Sequence, residues 1–457
     1  MAGVLGKERA DYTEGSIIGS ILKMGLPSMF GFLTQNIYNL VDMWWVSRLP
    51  DGEDAVAAVT FFGVILMLLF SFNQLVGPGS VAVISRRYGE EDDALVEKAI
   101  KETIILKLFF GFVFGVAGFF LSRQLLTLVG AREIALEQGI EYAQVMFLAL
   151  AFPYAMYSIF TALRGVANPK MAMTLMLASN ILNMVLDPVF IFGYLGVPAM
   201  GIRGAAVASV TSFVLTLLVG LVILYGGFAN VRLHLKGRAS IDVRSMLTLL
   251  KIGLPAWLGS LSFSGSRLLI TPMIATFGTA VVAAFGVGAQ VMSFSITIVV
   301  GIGIGLSSLI GHNVGAKKLD RARQTGNQAI ALALGVMLLF GAIVLIFARQ
   351  LVGLFFESPE TIEYGVTLLR IFALAFPAVG VYIMIEEIHM GVGLNTPIMV
   401  FSMILAWPLR VLPIFLVTTF LTTGPGAVWW IMSLSVVVTA IMVFIYYRRG
   451  RWLTVKV

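Results

Sequence analysis

The sequence predicts an all-α membrane protein with twelve transmembrane helices, and three observations carry that reading. Of its 457 residues 59% are hydrophobic and only 12% are charged, about half the charge fraction of a typical soluble domain. Uninterrupted apolar runs such as "LKLFFGFVFGVAGFFL" (106–121) and "AIALALGVMLLFGAIVLIF" (329–347) match the roughly 20 residues that a helix needs to cross a bilayer. The runs are too long and too uniformly apolar for the period-2 strands of an outer-membrane barrel.

Charged and turn-forming stretches separate the spans. In the first half these fall at about 17–46, 56–83, 102–122, 138–163, 171–195 and 202–226. The first follows the charged "MAGVLGKERADYTEGS", which lacks an apolar core and a small-residue cleavage site, so no removable signal peptide is expected. The second ends in the connector "SRRYGEEDDALVEKA", and the third holds the run at 106–121 and is followed by "SRQLLTL" (122–128). The fourth contains "FLALAFP" (147–153) and leads through "LRGVANPKM" into the fifth, and the sixth is built on "VASVTSFVLTLLVGLVILY" (207–225). The remaining six fall at about 247–277, 282–310, 326–347, 364–388, 396–420 and 426–447.

Basic residues set the orientation. Lys7, Arg9, Arg86, Arg87, Lys98, Lys101, Arg164, Lys170, the cluster from Arg232 to Lys251, Lys317 to Arg323, and Arg448, Arg449, Arg451 and Lys456 fall on one side. Only Arg48, Arg123, Arg132, Arg203 and Arg349 fall on the other. The positive-inside rule puts both termini in the cytoplasm of a multi-pass cell-membrane protein. The net charge of +7 is then accounted for without a nucleic-acid partner. Cysteine is absent, which excludes disulfides and thiolate metal sites.

The chain also repeats itself. "ILKMGLPSM" (21–29) returns as "LLKIGLPAW" (249–257), "FLALAFP" as "IFALAFP" (371–377), and "SRQLLTL" as "ARQLVGL" (348–354). An even number of spans separates the copies, so the halves share one topology, related by an axis along the membrane normal. The expected division is a six-helix lobe at 1–226, a cytoplasmic linker at 227–246 around "GGFANVRLHLKGRASIDVRS", and a second six-helix lobe at 247–457.

Within the fifth span "LNMVLDPVFIF" (182–192) places Asp187 among apolar residues, where an ionised carboxylate costs about 2.5–3.5 kcal/mol on insertion scales. Asn183 stands one turn before it on the same face, and Pro188 frees a backbone carbonyl one turn back. In the first span Gln35, Tyr38, Asn39 and Asp42 form one polar stripe, which must face protein or water. If the two spans meet, Asp42 and Asp187 share a chamber and titrate as a coupled pair suited to H⁺, while the same oxygens suit a hard cation such as Na⁺. Structural alternatives stand beside these: Asp42 as an interfacial cap near Trp44, Trp45 and Arg48, Asp187 as an acid locking a kink, and Asn183 as helix glue.

The motifs "GLPSM" and "GLPAW", "YNLVDMWWVSRL", "LRGVANPKM" and "LNMVLDPVFIF" together resemble the multidrug and toxic compound extrusion family over nearly the whole chain. The resemblance implies a V-shaped, two-lobe, monomeric transporter, not an enzyme, that exports small drug-like organic compounds, cationic or amphipathic, against inward H⁺ or Na⁺. Carried over residue by residue, it implies a cation site of Asp42, Asp187, Asn183 and Ser209, with Tyr38 and Met176 as neighbours. For Na⁺ the ligands are Asp42, Asp187 and Asn183. Ser209 stands where the family often has threonine and leaves the hydroxyl in place.

The second half departs from the mirror image, because "VLPIFLV" (411–417) keeps the proline of "LDPVFIF" without its acid. The tenth span instead carries "MIEEIHMGVG", with Glu386 and His389 on one face and Glu387 turned elsewhere, while Arg267 lies in the seventh span and Arg410 in the eleventh. Pairing of Glu386 or Glu387 with Arg267 or Arg410 is the favoured expectation, since a buried arginine demands a counter-charge, and coupling or cationic-substrate binding is the alternative. A Glu–His pair is too sparse for zinc. Gly63, Gly77, Gly79, Gly286, Gly301, Gly303 and Gly305 are candidates for close helix contacts.

The 22 Met and 33 Phe would suit adaptable cavity walls, with ordinary lipid-facing and packing roles expected for most of them. No P-loop is present, so ATP is not the expected energy source, and no cofactor is expected beyond the coupling ion. The alternative of a flippase for lipid-linked oligosaccharides calls for a basic central cavity to hold phosphates, whereas the first half is acidic there. An intramembrane aspartyl protease is disfavoured by the missing "GxGD" signature.

Overall fold

The computed structural model describes residues 12–236, 240–421 and 423–455. Lys7, Arg9, Arg238 and Lys456 of the basic set therefore lie outside the described residues, as does the middle of the linker. Among the described residues the protein is entirely helical. Eleven helices are long and apolar enough to span a membrane, and a bent pair supplies a twelfth.

The first half comprises α1 (Ile17–Val46), α2 (Gly52–Ser71), α3 (Asn73–Gly89), α4 (Asp93–Leu128), α5 (Glu133–Leu148), α6 (Ala151–Gly165), α7 (Pro169–Phe192) and α8 (Ile202–Gly226). The second comprises α9 (Val243–Ala275), α10 (Thr279–Gly315), α11 (Leu319–Gly353), α12 (Pro359–Val392), α13 (Thr396–Ala406), α14 (Leu412–Phe420) and α15 (Pro425–Arg448). Together they form the expected two-lobe, V-shaped arrangement.

Where helices and expected spans differ, local chemistry explains it. α4 runs well beyond 102–122 because its first turns are charged and water-stable: Asp92 caps it by accepting from the Leu95 amide at 3.0 Å, and Lys101 and Glu97 pair one turn apart at 2.8 Å. The fourth span is not continuous but bends by 53° between α5 and α6. α4 fits into that bend through Gly111, where an added Cβ would lie 2.5 Å from the Ala151 Cα, and through Gly115, which faces the Phe147 carbonyl. The eleventh span passes through a π turn at Trp407–Val411, closed by the Leu412 amide on the Trp407 carbonyl. Pro408 inside this turn and Pro413 just after it lack the amides an unbroken α-helix would use.

The two lobes meet at the end of the bundle that carries the described chain termini. There α1 leaves its own lobe and packs along α10, so Ile17 and Ile21 join the core of the second half. Glycine permits the approach: a Cβ on Gly25 would lie 2.9 Å from the Ile302 Cα, and one on Gly305 would lie 2.5 Å from the Gly25 nitrogen. α3 and α9 cross equally tightly, with Gly79 against the Leu249 carbonyl and Gly253 against the Leu75 carbonyl. Of the candidate contact glycines, Gly63 and Gly286 face open space, and Gly77 meets no other helix.

A polar clasp spans the same end. Lys98 of α4 holds Asp242, the N-cap of α9, at 2.8 Å. Glu102 accepts from the Ser245 hydroxyl at 2.5 Å and from the Asp242 amide at 3.1 Å. Just before α9 the chain folds over α4 with Val231 and Leu233 buried, and His234 places its amide and Nδ1 on Glu97 at 2.8 and 3.0 Å. Lys318, the N-cap residue of α11, reaches Thr13 and Glu14, and the Arg86 guanidinium donates to the Val455 carbonyl at 2.9 Å.

Replacing Gly79 by alanine drives a methyl group into the backbone of α9 and costs about 1–3 kcal/mol. Thermal unfolding in detergent should show a lower midpoint for Gly79→Ala and none of that loss for Gly63→Ala, whose added methyl meets open space.

Candidate functional site

α1 and α7 pack closely along their length, and their register places one polar residue opposite another over three turns. At the terminus-side end Gly31 receives Met176, whose Sδ would lie 3.0 Å from an added Cβ. One turn on, the Asn180 amide donates to the Thr34 hydroxyl at 3.3 Å. Next come Tyr38 and Asn183, and then Asp42 and Asp187. Asp187 is fully buried and Asp42 is 7% exposed, and the charge of Asp42 acts on Asp187. Both acids sit toward the end opposite the termini.

α8 completes the chamber. Gly204 faces the Phe190 carbonyl, so α7 and α8 approach backbone to backbone and Ser209, fully buried, arrives between them. The Tyr38 hydroxyl and the Ser209 hydroxyl lie 3.3 Å apart. The Asn183 amide satisfies both its ends in one orientation: its nitrogen donates to Asp187 Oδ2 at 3.1 Å, and its oxygen accepts from the Ser209 amide at 3.0 Å and from its hydroxyl at 3.1 Å. Asp42 Oδ1 has no hydrogen-bond partner among the described residues. A buried carboxylate oxygen left so is a position for a proton or a cation.

Five of the six carried-over residues thus converge: Asp42, Asp187, Asn183, Ser209 and Tyr38. Met176 does not, because eleven residues of helix, about 16 Å, separate it from Asp187. The polar stripe of α1 also divides, with Tyr38 and Asp42 buried, Gln35 half-buried and Asn39 exposed. One participant escaped the sequence reading. Tyr142 of α5 is buried, and its phenol interacts electrostatically with Asp42, Tyr38 and Asp187. Gln138 precedes it by one turn on the same face, but one glutamine on a charged helix does not single that face out, and the docking of α5 on α8 discloses it.

The polar group of the second half is arranged differently from expectation. Among the described residues neither Glu386 nor Glu387 forms an ion pair with Arg267 or Arg410. Arg410 is already satisfied: its Nε donates to the Ser435 hydroxyl at 3.1 Å, another nitrogen donates to the Met432 carbonyl at 3.3 Å, and the guanidinium lies 5.7 Å from the Phe263 ring centroid. Arg267 is exposed. Glu387 is buried against α10, where a Cβ on Gly303 would lie 2.6 Å from its Cγ, and its charge interacts across the lobe boundary with Arg164 of α6. His389 turns its Nδ1 back to the Ile385 carbonyl at 2.8 Å. No group of three or more His, Asp or Glu residues with metal-holding geometry occurs among the described residues.

Ser209 is the hub of the first-half site. Ser209→Ala leaves the Tyr38 hydroxyl and the Asn183 amide short of a partner and should cost about 1–3 kcal/mol, read as a lower melting midpoint that Ser209→Thr restores in part.

Comparison with known proteins agrees with this architecture. The sequence profile described as MatE matches twice, at residues 27–189 and 255–416, once in each half. The chain is 26% identical to a probable multidrug resistance protein of Bacillus subtilis, YpnP, over 98% of both chains. It is 23% identical to the multidrug export protein MepA of Staphylococcus haemolyticus, over 97% of this chain and 96% of that one. Among solved structures, an outward-facing conformation of a multidrug resistance MATE family transporter of the MOP superfamily superposes with a TM-score of 0.87 at 25% identity, covering 97% of this chain and 98% of the other. A profile match over both halves, together with the shared fold, establishes that the chain belongs to the MatE family of multidrug and toxic compound extrusion transporters.

Proposed function

We propose that the protein is a cation-coupled antiporter that exports small organic compounds, cationic or amphipathic, by alternating access, with Asp42 and Asp187 as the coupling pair. The observation that carries this is the meeting of the two carboxyl groups in one buried chamber of the first half, with an oxygen of Asp42 left without a partner among the described residues.

The physical sequence follows from that chamber. Ionised, the pair carries two negative charges inside the bilayer and holds the chamber polar and hydrated. H⁺ or Na⁺ entering from outside neutralises charge there and removes the demand for solvation. α1 and α7, whose ladders are interrupted by Pro27 and Pro188, then repack toward each other, narrow the cavity and displace the exported compound. Each inward elementary charge contributes about 2.3 kcal/mol per 100 mV. For Na⁺, the oxygens of Asp42 and Asp187 serve as ligands, and the Asn183 amide has to turn its oxygen from Ser209 toward the ion. For H⁺, no such turn is needed.

In this proposal both termini lie in the cytoplasm and the molecule works as a monomer of two lobes, 1–226 and 247–457, joined by the 227–246 linker. The end where the lobes meet is then the cytoplasmic gate, and the Lys98–Asp242–Glu102–Ser245 clasp must open for the inward-facing state. Hydrogen bonding to Lys98, then to the Ser245 amide, holds the Asp242 carboxyl below the ordinary carboxylate range. A depressed folded-state value means that the clasp is fully formed at neutral pH and is lost only as pH falls through that value.

Two measurements test the proposal. In proteoliposomes with separately imposed gradients, either an inward pH gradient or an inward Na⁺ gradient should drive efflux of a fluorescent organic cation, and Asp187→Asn should abolish it. Failure of both gradients with the wild type contradicts antiport. Spin labels placed across the gate should show a larger inward-open population in Asp242→Asn than in the wild type at pH 7, and an unchanged population in the variant contradicts the role of the clasp.

A further inference from the structure

In the second lobe α11 and α15 each pack along α12 and touch one another at one end, where Tyr447 meets Gly326 and Asn327. α12 is therefore the floor of a trough that opens toward the lipid. Its cavity measures about 570 Å³. The trough exists because small residues face it from all three helices: Ala331 from α11, Ala378 beside Pro377 from α12, and Ala440 from α15. Along α15 it runs from Arg448 to Val437, eleven residues or about 16 Å, close to half of the ~30 Å hydrocarbon thickness. It is as long as one leaflet is deep.

Its end at the membrane surface is lined by hydrogen-bond donors. Tyr447, stacked on Trp452 with ring centroids 5.4 Å apart, donates to Asn327 Oδ1 at 3.0 Å. That bond occupies the amide oxygen and leaves the Asn327 Nδ2 group to face the trough. Arg448 is exposed at the same mouth and forms no ion pair among the described residues. Exposed Arg323 and Arg449 add to the positive field, against Asp320 two turns before Asn327.

The first lobe supplies the contrast. There α4 and α8 flank α6 in the same way, and Tyr225 takes the place of Tyr447. Lys101 lies 6.0 Å from the Tyr225 ring centroid but is paired with Glu97, and the chain after α8 covers that end with Val231 and Leu233. The cation that is consumed in the first lobe is left available in the second.

We propose that this trough is a binding site for one anionic phospholipid of the leaflet on the terminus side. Its phosphate sits on Arg448 and Asn327 Nδ2, and an acyl chain lies along Ala331, Ala378 and Ala440. The site is independent of the coupling chamber, and its test needs no transport.

Detergent-purified, delipidated protein is titrated with phosphatidylglycerol and, separately, with phosphatidylcholine, and bound lipid is counted by native mass spectrometry. The wild type should prefer one phosphatidylglycerol by about fivefold, the effect of one basic residue at a membrane surface. Arg448→Gln, a surface change that leaves folding intact, should bring the two lipids to near parity. Ala331→Trp, checked for an unchanged melting midpoint, should lose both. Glycerol phosphate, the headgroup chemistry without chains, should displace nothing. Equal affinity of the wild type for the two lipids, a preference that survives in Arg448→Gln, or displacement by glycerol phosphate overturns the proposal, and the Arg448→Gln comparison decides it alone if Ala331→Trp does not fold.

Discussion

A carboxyl group inside a bilayer has to be met by other polar groups of the same protein, because hydrocarbon offers none. Two such groups set the organisation of the first lobe. Asp42 and Asp187 sit on helices that run side by side, and the polar residues that precede them are linked, Thr34 with Asn180 directly and Tyr38 with Asn183 through Ser209 of α8. α8 can bring Ser209 there only because Gly204 lets it touch the backbone of α7. The close packing of small residues is thus the means by which the acids are given partners, and Asp42 Oδ1 is left without one among the described residues.

The second constraint is the meeting of the lobes at a single end. α1 belongs to both: its terminus-side half packs in the core of the second lobe with α10, and its far half carries Tyr38 and Asp42 into the first. A change in the packing of α1 around Pro27 is therefore felt at the lobe contact and at the chamber alike. Glu387 is buried against Gly303 of α10, the helix that packs on α1, so the polar group expected to pair with Arg267 or Arg410 sits in part beside the contact between lobes.

What the sequence made legible follows from how each feature is encoded. Helices were readable because bilayer thickness imposes a length on apolar runs, and their extension beyond the bilayer was not, since it rests on caps and ion pairs such as Asp92 and Lys101–Glu97. The bend between α5 and α6 falls one turn before Pro153, but Pro377 in the repeated motif leaves α12 unbroken, so the proline alone does not announce a bend that also depends on Gly111 and Gly115 of a neighbouring helix. Asp42, Asp187, Asn183 and Tyr38 share helical spacing and stood out against apolar surroundings. Tyr142 enters the site from a fourth helix and Met176 leaves it by helical rise, and both depend on the tertiary register. Arg410 was expected to seek a glutamate, but a serine hydroxyl and a backbone carbonyl satisfy it locally.

The central claim is that the two carboxyl groups act as one unit. Infrared difference spectroscopy of the carboxyl stretch through a pH titration, in lipid, tests this on the wild type, Asp42→Asn and Asp187→Asn. Removing either acid should change the titration of the one that remains. If the surviving carboxyl titrates as it does in the wild type in both variants, the acids are independent and the account of coupling fails.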